Sequence, residues 1–125
     1  MAGEAILIVE DNLGNLKLEE ILFTKLGYQV RTAHDANAAL EVLAEFQPQM
    51  IIMDIQLPGM SGIELTKKLK ADPKYQNIII VAVTAYAMSG DQEKILASGC
   101  DVYVAKPIDI DTFPDMIEKL LAGHE

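Results

Sequence analysis

At 125 residues, half of them hydrophobic and 23% charged, the chain has the size and composition of one compact globular domain with no linker or low-complexity tract. Its formal charge of −9 repels phosphate backbones and anionic lipid, which argues against direct nucleic-acid or membrane-surface binding. A single cysteine, Cys100, excludes an internal disulfide; no signal-like segment opens the chain, and its longest apolar runs fall far short of the about 20 residues of a membrane span, so a cytoplasmic protein is expected.

Five repeats of strand and helix follow in order. Ala5-Ile6-Leu7-Ile8-Val9 is a continuous apolar run of strand length that ends in Glu10-Asp11-Asn12, so a buried strand points acids off its end. Asn12 is placed to cap a helix in which Leu13, Leu16, Ile21, Leu22 and Leu26 form the apolar stripe before Gly27. Tyr28-Gln29-Val30-Arg31-Thr32 alternates like an edge strand, and Asp35 caps a helix carrying Ala36, Ala39, Leu40, Leu43 and Phe46. Met50-Ile51-Ile52-Met53-Asp54-Ile55 is apolar but for one carboxylate, and Gln56-Leu57-Pro58-Gly59 stops it.

Ser61 and Glu64 have capping-box spacing ahead of a helix bearing Ile63, Leu65, Thr66 and Leu69. The run from Ile78 to Thr84 is a third apolar strand, ending on a hydroxyl. Ser89 with Gln92 suggests a second capping box for a helix that closes at Gly99. Asp101-Val102-Tyr103-Val104-Ala105-Lys106-Pro107 is the fifth strand and ends in a cation. The last helix carries Phe113, Met116, Ile117, Leu120 and Leu121; Asp111 is expected to cap it, because Pro114 then falls in the first turn, where no N–H is needed.

Alternating strands and helices joined by right-handed crossovers predict an α/β fold, one domain over residues 1–125 with a five-stranded parallel sheet between two helical layers. By analogy with doubly wound sheets of the flavodoxin type, the strand order is 2-1-3-4-5, which puts the three apolar strands in the middle. Strands one and three are then neighbours. Glu10, Asp11 and Asp54 converge at the sheet's carboxyl edge, the usual ligand edge of such folds, and Thr84 and Lys106 reach the same edge.

Three carboxylates in one small volume raise one another's pKa and strain the fold unless a cation sits among them. Lys106 offsets only part of that charge. An all-oxygen site with few protein ligands suits Mg2+ better than zinc or copper. A carboxylate beside magnesium points to phosphoryl chemistry: Asp54 as nucleophile, Lys106 as counter-charge, and the Thr84 hydroxyl and Ala85 N–H as donors to the phosphoryl oxygens. Any one of these residues alone reads equally as a helix cap, a strand residue or a surface charge. It is their joint placement at strand ends that favours function.

Four motifs carry a resemblance: Val9-Glu10-Asp11-Asn12, Met53-Asp54-Ile55-Gln56-Leu57-Pro58-Gly59-Met60-Ser61-Gly62, Val83-Thr84-Ala85 and Lys106-Pro107. In this order the chain resembles the receiver domains of two-component response regulators, from Ile6 to Leu121, and its wording is most similar to single-domain regulators of the DivK type and to receivers of hybrid kinases. The resemblance implies phosphorylation of Asp54 by a phosphohistidine on a sensor histidine kinase or phosphotransfer protein. It implies that Asp11, Asp54 and the Gln56 carbonyl bind magnesium directly, with Glu10 helping through water, and that Lys106 clasps the phosphoryl group. Thr84 would swing towards that group and Tyr103 would turn inward as an aromatic switch. Downstream protein partners would then read the face made by the fourth helix, fifth strand and fifth helix. Gln56 and Tyr86 would flank the path of hydrolytic water and tune the phosphoryl lifetime.

A phosphoacceptor of this kind is a switch and not a turnover enzyme. Two rivals make different demands on the residues. An aspartyl-phosphate phosphatase usually needs a second acid two residues after the nucleophile, where this chain has Gln56. A flavin module needs a hydroxyl-rich loop after the first strand, and Glu10-Asp11-Asn12-Leu13-Gly14 would repel the cofactor phosphate. A receiver belonging to a hybrid kinase remains the alternative to a stand-alone regulator.

Overall fold

The structure, a computed structural model, describes residues 3–85, 89–106 and 108–123, and for residues 89–91 the backbone alone. The elements alternate as expected: β1 Ala5–Val9, α1 Leu13–Lys25, β2 Gln29–Ala33, α2 Ala36–Leu43, β3 Met50–Asp54, α3 Gly62–Lys70, β4 Ile79–Thr84, α4 Ser89–Ala97, β5 Val102–Ala105 and α5 Phe113–Ala122. All strand pairs are parallel and the sheet order is β2-β1-β3-β4-β5. The apolar strands are central because only there are both faces covered; β3 and β4 are buried at every residue.

Strand alternation divides the core in two. Leu7, Val9, Ile51, Met53, Ile80 and Ala82 face the layer of α2, α3 and α4, where Ala39, Leu43, Leu65, Leu69 and Ile95 meet them. Ile6, Ile8, Met50, Ile52, Val81 and Val83 face the layer of α1 and α5, with Phe23 edge-on to Phe113 at 5.8 Å between ring centroids. Cys100 is buried against the Thr66 and Ser98 hydroxyls, and burial pushes its thiol up, in keeping with an inert cysteine.

Helix caps follow their local chemistry. Asn12 and Asp35 accept the N–H of Asn15 and Ala38, and Ser61 with Glu64 forms both bonds of a capping box. The expected Ser89 box falls on a side chain outside the described residues.

Three expectations need correction. Asp111 does not cap α5. Thr112 holds the cap position without a side-chain bond, while the Asp109 carboxylate accepts the N–H groups of Asp111 and Thr112 in the preceding turn. Pro114 still lies in the first turn, so it costs no hydrogen bond. Phe46 lies beyond the end of α2 and packs under the Arg31 guanidinium instead of extending the helical stripe. The third correction concerns α1: Leu13, Ile21 and Leu26 are exposed, and the residues it buries are Glu19 and Phe23. Its leucines are spread around the helix, so the inward row is set by Leu16, Glu19 and Phe23 at i, i+3 and i+7.

Candidate functional site

The ends of β3, β1 and β5 each deliver a charged group to the same edge of the sheet. Asp54 is the last residue of β3 and is 4% exposed. Its Oδ1 accepts the N–H of Gln56 at 3.0 Å, which turns the chain away from the sheet and fixes the carboxylate. Glu10 follows β1 directly and is as buried as the core; its Oε2 accepts the Asn12 N–H at 3.1 Å. Lys106 follows β5, with its own N–H held by the Thr84 carbonyl at 2.8 Å.

Lys106 joins the two acids. Its Nζ donates to Glu10 Oε1 at 3.1 Å and to Asp54 Oδ2 at 3.2 Å. Burial works against the ammonium, but the paired carboxylates outweigh it and hold Lys106 above the ordinary lysine range. Burial raises the Glu10 carboxyl despite the opposing bonds from Asn12 and Lys106, and the charge of Asp54 adds to the rise. Asp11 is exposed beside them, and Glu10, Asp11 and Asp54 bring one carboxylate oxygen each within 4.8 Å of one another. This donor set is hard, anionic and only partly neutralised by one lysine, so it fits a divalent oxygen-seeking cation such as Mg2+.

The other expected residues take two positions. Thr84 ends β4 fully buried, on the same strand face as Ile80 and Ala82, and Tyr103 is half-buried against that same core layer. Ala85 and Gln56 are exposed at the rim. Tyr86 and Pro107 lie outside the described residues.

Two residues were given no role in the sequence reading. Gly62 packs so closely under the site that a β-carbon would stand 2.7 Å from the Asp54 carbonyl oxygen and 2.8 Å from the Ile55 Cα. Glu19 is 7% exposed on the inner side of α1, and its carboxyl is pushed up to about 7 by burial and by the charges of Glu10 and Asp54, against the pull of Lys106. Its position at i+3 from Leu16 and i−4 from Phe23 was the available signal.

A carboxyl raised from 4.5 in the unfolded chain binds its proton more tightly in the fold. Its effect is therefore absent below 4.5; stability falls as pH rises from 4.5 to about 7, by about 3 kcal/mol in all, and stays lowered above that range. Glu10 shifts in the same direction, whereas the raised Lys106 loses its contribution only above the lysine range. In chelator-treated buffer, thermal melts from about pH 5 to about pH 8 are expected to show Glu19→Gln gaining stability relative to wild type as pH rises. A constant difference across that window would refute the assignment of the proton to Glu19.

Comparison with known proteins gives this geometry its class. Residues 6–118 match the response regulator receiver domain, and the chain belongs to that family. It is a receiver of the two-component signalling type. The polar-differentiation response regulators DivK of Brucella anthropi and Brucella ovis are each 42% identical to it over 118 residues, covering 94% of this chain and 96% of the relative. The receiver domain of sensor histidine kinase PA1611 from Pseudomonas aeruginosa, which has a magnesium ion coordinated in its active-site cleft, is 31% identical with a TM-score of 0.87, over 97% of this chain and 99% of that one. The chemotaxis response regulator CheY4 of Vibrio cholerae, at 23% identity, shares the fold with a TM-score of 0.89 over 95% of this chain and 99% of its own. Among the described residues no helix is long and apolar enough to cross a membrane.

Proposed function

We propose that Asp54 is the phosphoacceptor of a phosphorelay receiver formed by residues 1–125, charged by a phosphohistidine on a histidine kinase or phosphotransfer protein. The observation that carries this is the lysine bridge: one half-buried ammonium holds the buried Asp54 and Glu10 together beside the exposed Asp11. Asp11, Asp54 and the Gln56 carbonyl would hold Mg2+, with Glu10 assisting through water. Bound there, the ion would neutralise phosphoryl oxygens.

The reaction asks three things of the protein's own residues. The Asp54 carboxylate attacks phosphorus as the P–N bond to the donor imidazole breaks, and the imidazole leaves with a proton in place of the phosphoryl group. Lys106 moves its charge from the carboxylate to a phosphoryl oxygen, and the Thr84 hydroxyl and Ala85 N–H donate to the others. Thr84 and Tyr103 share one face of the sheet, which supports the route from phosphate to a partner-reading surface on α4, β5 and α5. Signalling is then by protein contact, in a stand-alone regulator or as the receiver of a hybrid kinase.

Incubation with acetyl phosphate and Mg2+ is expected to add one phosphoryl group to the intact mass. Prior removal of divalent cations with EDTA should abolish the addition, because the surplus acids then repel the donor. Labelling that persists without any divalent cation would overturn the metal assignment. Rapid multiple turnover of phosphomonoesters would instead favour the phosphatase reading.

A further inference from the structure

Glu19 takes no part in the chemistry above. It lines a cavity of about 440 Å³ between α1 and the segment that follows β5, a volume in the range of small-molecule sites. The walls are apolar, made by Leu18, Leu22, Ile108 and Ile110. Glu19 itself is more than nine-tenths buried, and its carboxylate takes no hydrogen bond among the described residues. The charged groups that face it come from three strand ends: Glu10 after β1, Asp54 of β3 and Lys106 after β5. Lys106 lines the cavity too, but its ammonium is already bonded to the other two carboxylates, so it offsets Glu19 only in part.

We propose that this cavity is a binding site for a small organic cation with an apolar body, an arylalkyl amine, whose ammonium pairs with Glu19 while the body lies against the apolar walls. The inference goes beyond the phosphoacceptor reading of Asp54 and does not depend on it. Burial makes an ionised Glu19 costly, and an ammonium inside a water-poor cavity offsets that cost more strongly than it could at the surface. A neutral ligand of the same shape leaves the cost in place, and an anion adds to it. A bare hydrated cation is disfavoured, because the apolar walls offer nothing to replace its water. Pairing requires Glu19 to give up the proton that it holds, in the free protein, to about pH 7. Affinity for an amine is therefore expected to rise with pH through that range, since an aliphatic ammonium keeps its charge to about pH 10.

The probe is tryptamine, with tryptophol as a neutral molecule of the same shape and indole-3-propionate as an anion. The chain has no tryptophan, so the indole fluorescence of each probe reports its binding free of protein indole emission. At about pH 8 tryptamine is expected to bind wild type saturably, at least about tenfold more tightly than tryptophol, with indole-3-propionate weaker than both. Glu19→Gln should weaken tryptamine about tenfold or more and leave tryptophol within about twofold. From about pH 6 to about pH 8 the dissociation constant of tryptamine should fall roughly tenfold in wild type and stay flat in Glu19→Gln. Glu20→Gln removes the same charge from a residue that faces Lys17 and does not line the cavity, and it should alter affinity by less than about twofold.

Equal affinity of wild type for tryptamine and tryptophol would overturn the proposal and leave an apolar cavity without selection for charge. Equal losses in Glu19→Gln and Glu20→Gln would overturn it as well, since the amine would then be held by the general negative charge of the chain. So would the lack of saturable tryptamine binding up to about 5 mM. None of these results bears on Asp54, whose labelling by acetyl phosphate is read separately.

Discussion

Replacing Asp54 with alanine is expected to eliminate phosphoryl incorporation, a loss of at least about a hundredfold, because no other group in the site can take over as nucleophile in the same position. Glu10 is tied to Lys106 and to the Asn12 N–H, and Asp11 stands exposed at the rim. The substitution should leave the protein folded. Lys106 keeps Glu10 as its partner, and the Gln56 N–H freed by the change lies in the exposed loop. Intact mass after treatment with acetyl phosphate and Mg2+ measures the outcome directly. A retained mass shift would move the phosphoryl group to a different residue and remove the basis for the role given to Lys106.

Gly62→Ala is expected to have the largest effect on stability, near 2–3 kcal/mol or roughly 10 °C in melting temperature for a domain of this size. The space for a β-carbon is closed by backbone, not by a side chain that can turn away: the Asp54 carbonyl at 2.7 Å and the Ile55 Cα at 2.8 Å. Accommodating the methyl forces α3 away from the end of β3, which also strains the Gly62 N–H bond to the Ile55 carbonyl at 2.9 Å. Alanine's better helix propensity returns at most about 1 kcal/mol. Because the displaced backbone is that of Asp54, Mg2+ affinity should weaken together with stability. Calorimetry and a magnesium titration on one sample check both. An unshifted melting temperature would show that the helix moves without resistance.

These two residues differ in how far the chain announces them. Asp54 was legible, since an apolar strand ending in one acid and a Pro-Gly turn marks a site once Glu10-Asp11, Thr84 and Lys106 end the neighbouring strands in the same way. Gly62 was not. Its necessity comes from the approach of a helix to a particular carbonyl, and a glycine after a serine cap looks the same whether or not such an approach exists.

The same distinction applies to the whole molecule. Apolar runs of strand length, helix caps such as Asn12, Asp35 and Ser61, and the glycines at turns are local properties, so five βα units were legible, with boundaries within a residue or two except at the end of α2, where Phe46 lies beyond the helix. The order β2-β1-β3-β4-β5 was reached by analogy, and the parallel pairing in the structure bears it out. Helix α1 shows where local pattern fails. Its leucines and isoleucine suggested a stripe through Leu13 and Ile21, but the helix is placed by Phe23 against Phe113 and by Leu16, and that placement carries Glu19 inside. The chain alone therefore decided which groups lie at the sheet's carboxyl edge, because strand ends are set by short-range chemistry. Which of them touch, with Lys106 bridging Glu10 and Asp54 and Glu19 carried into the adjoining cavity, was decided only by packing between elements far apart in sequence.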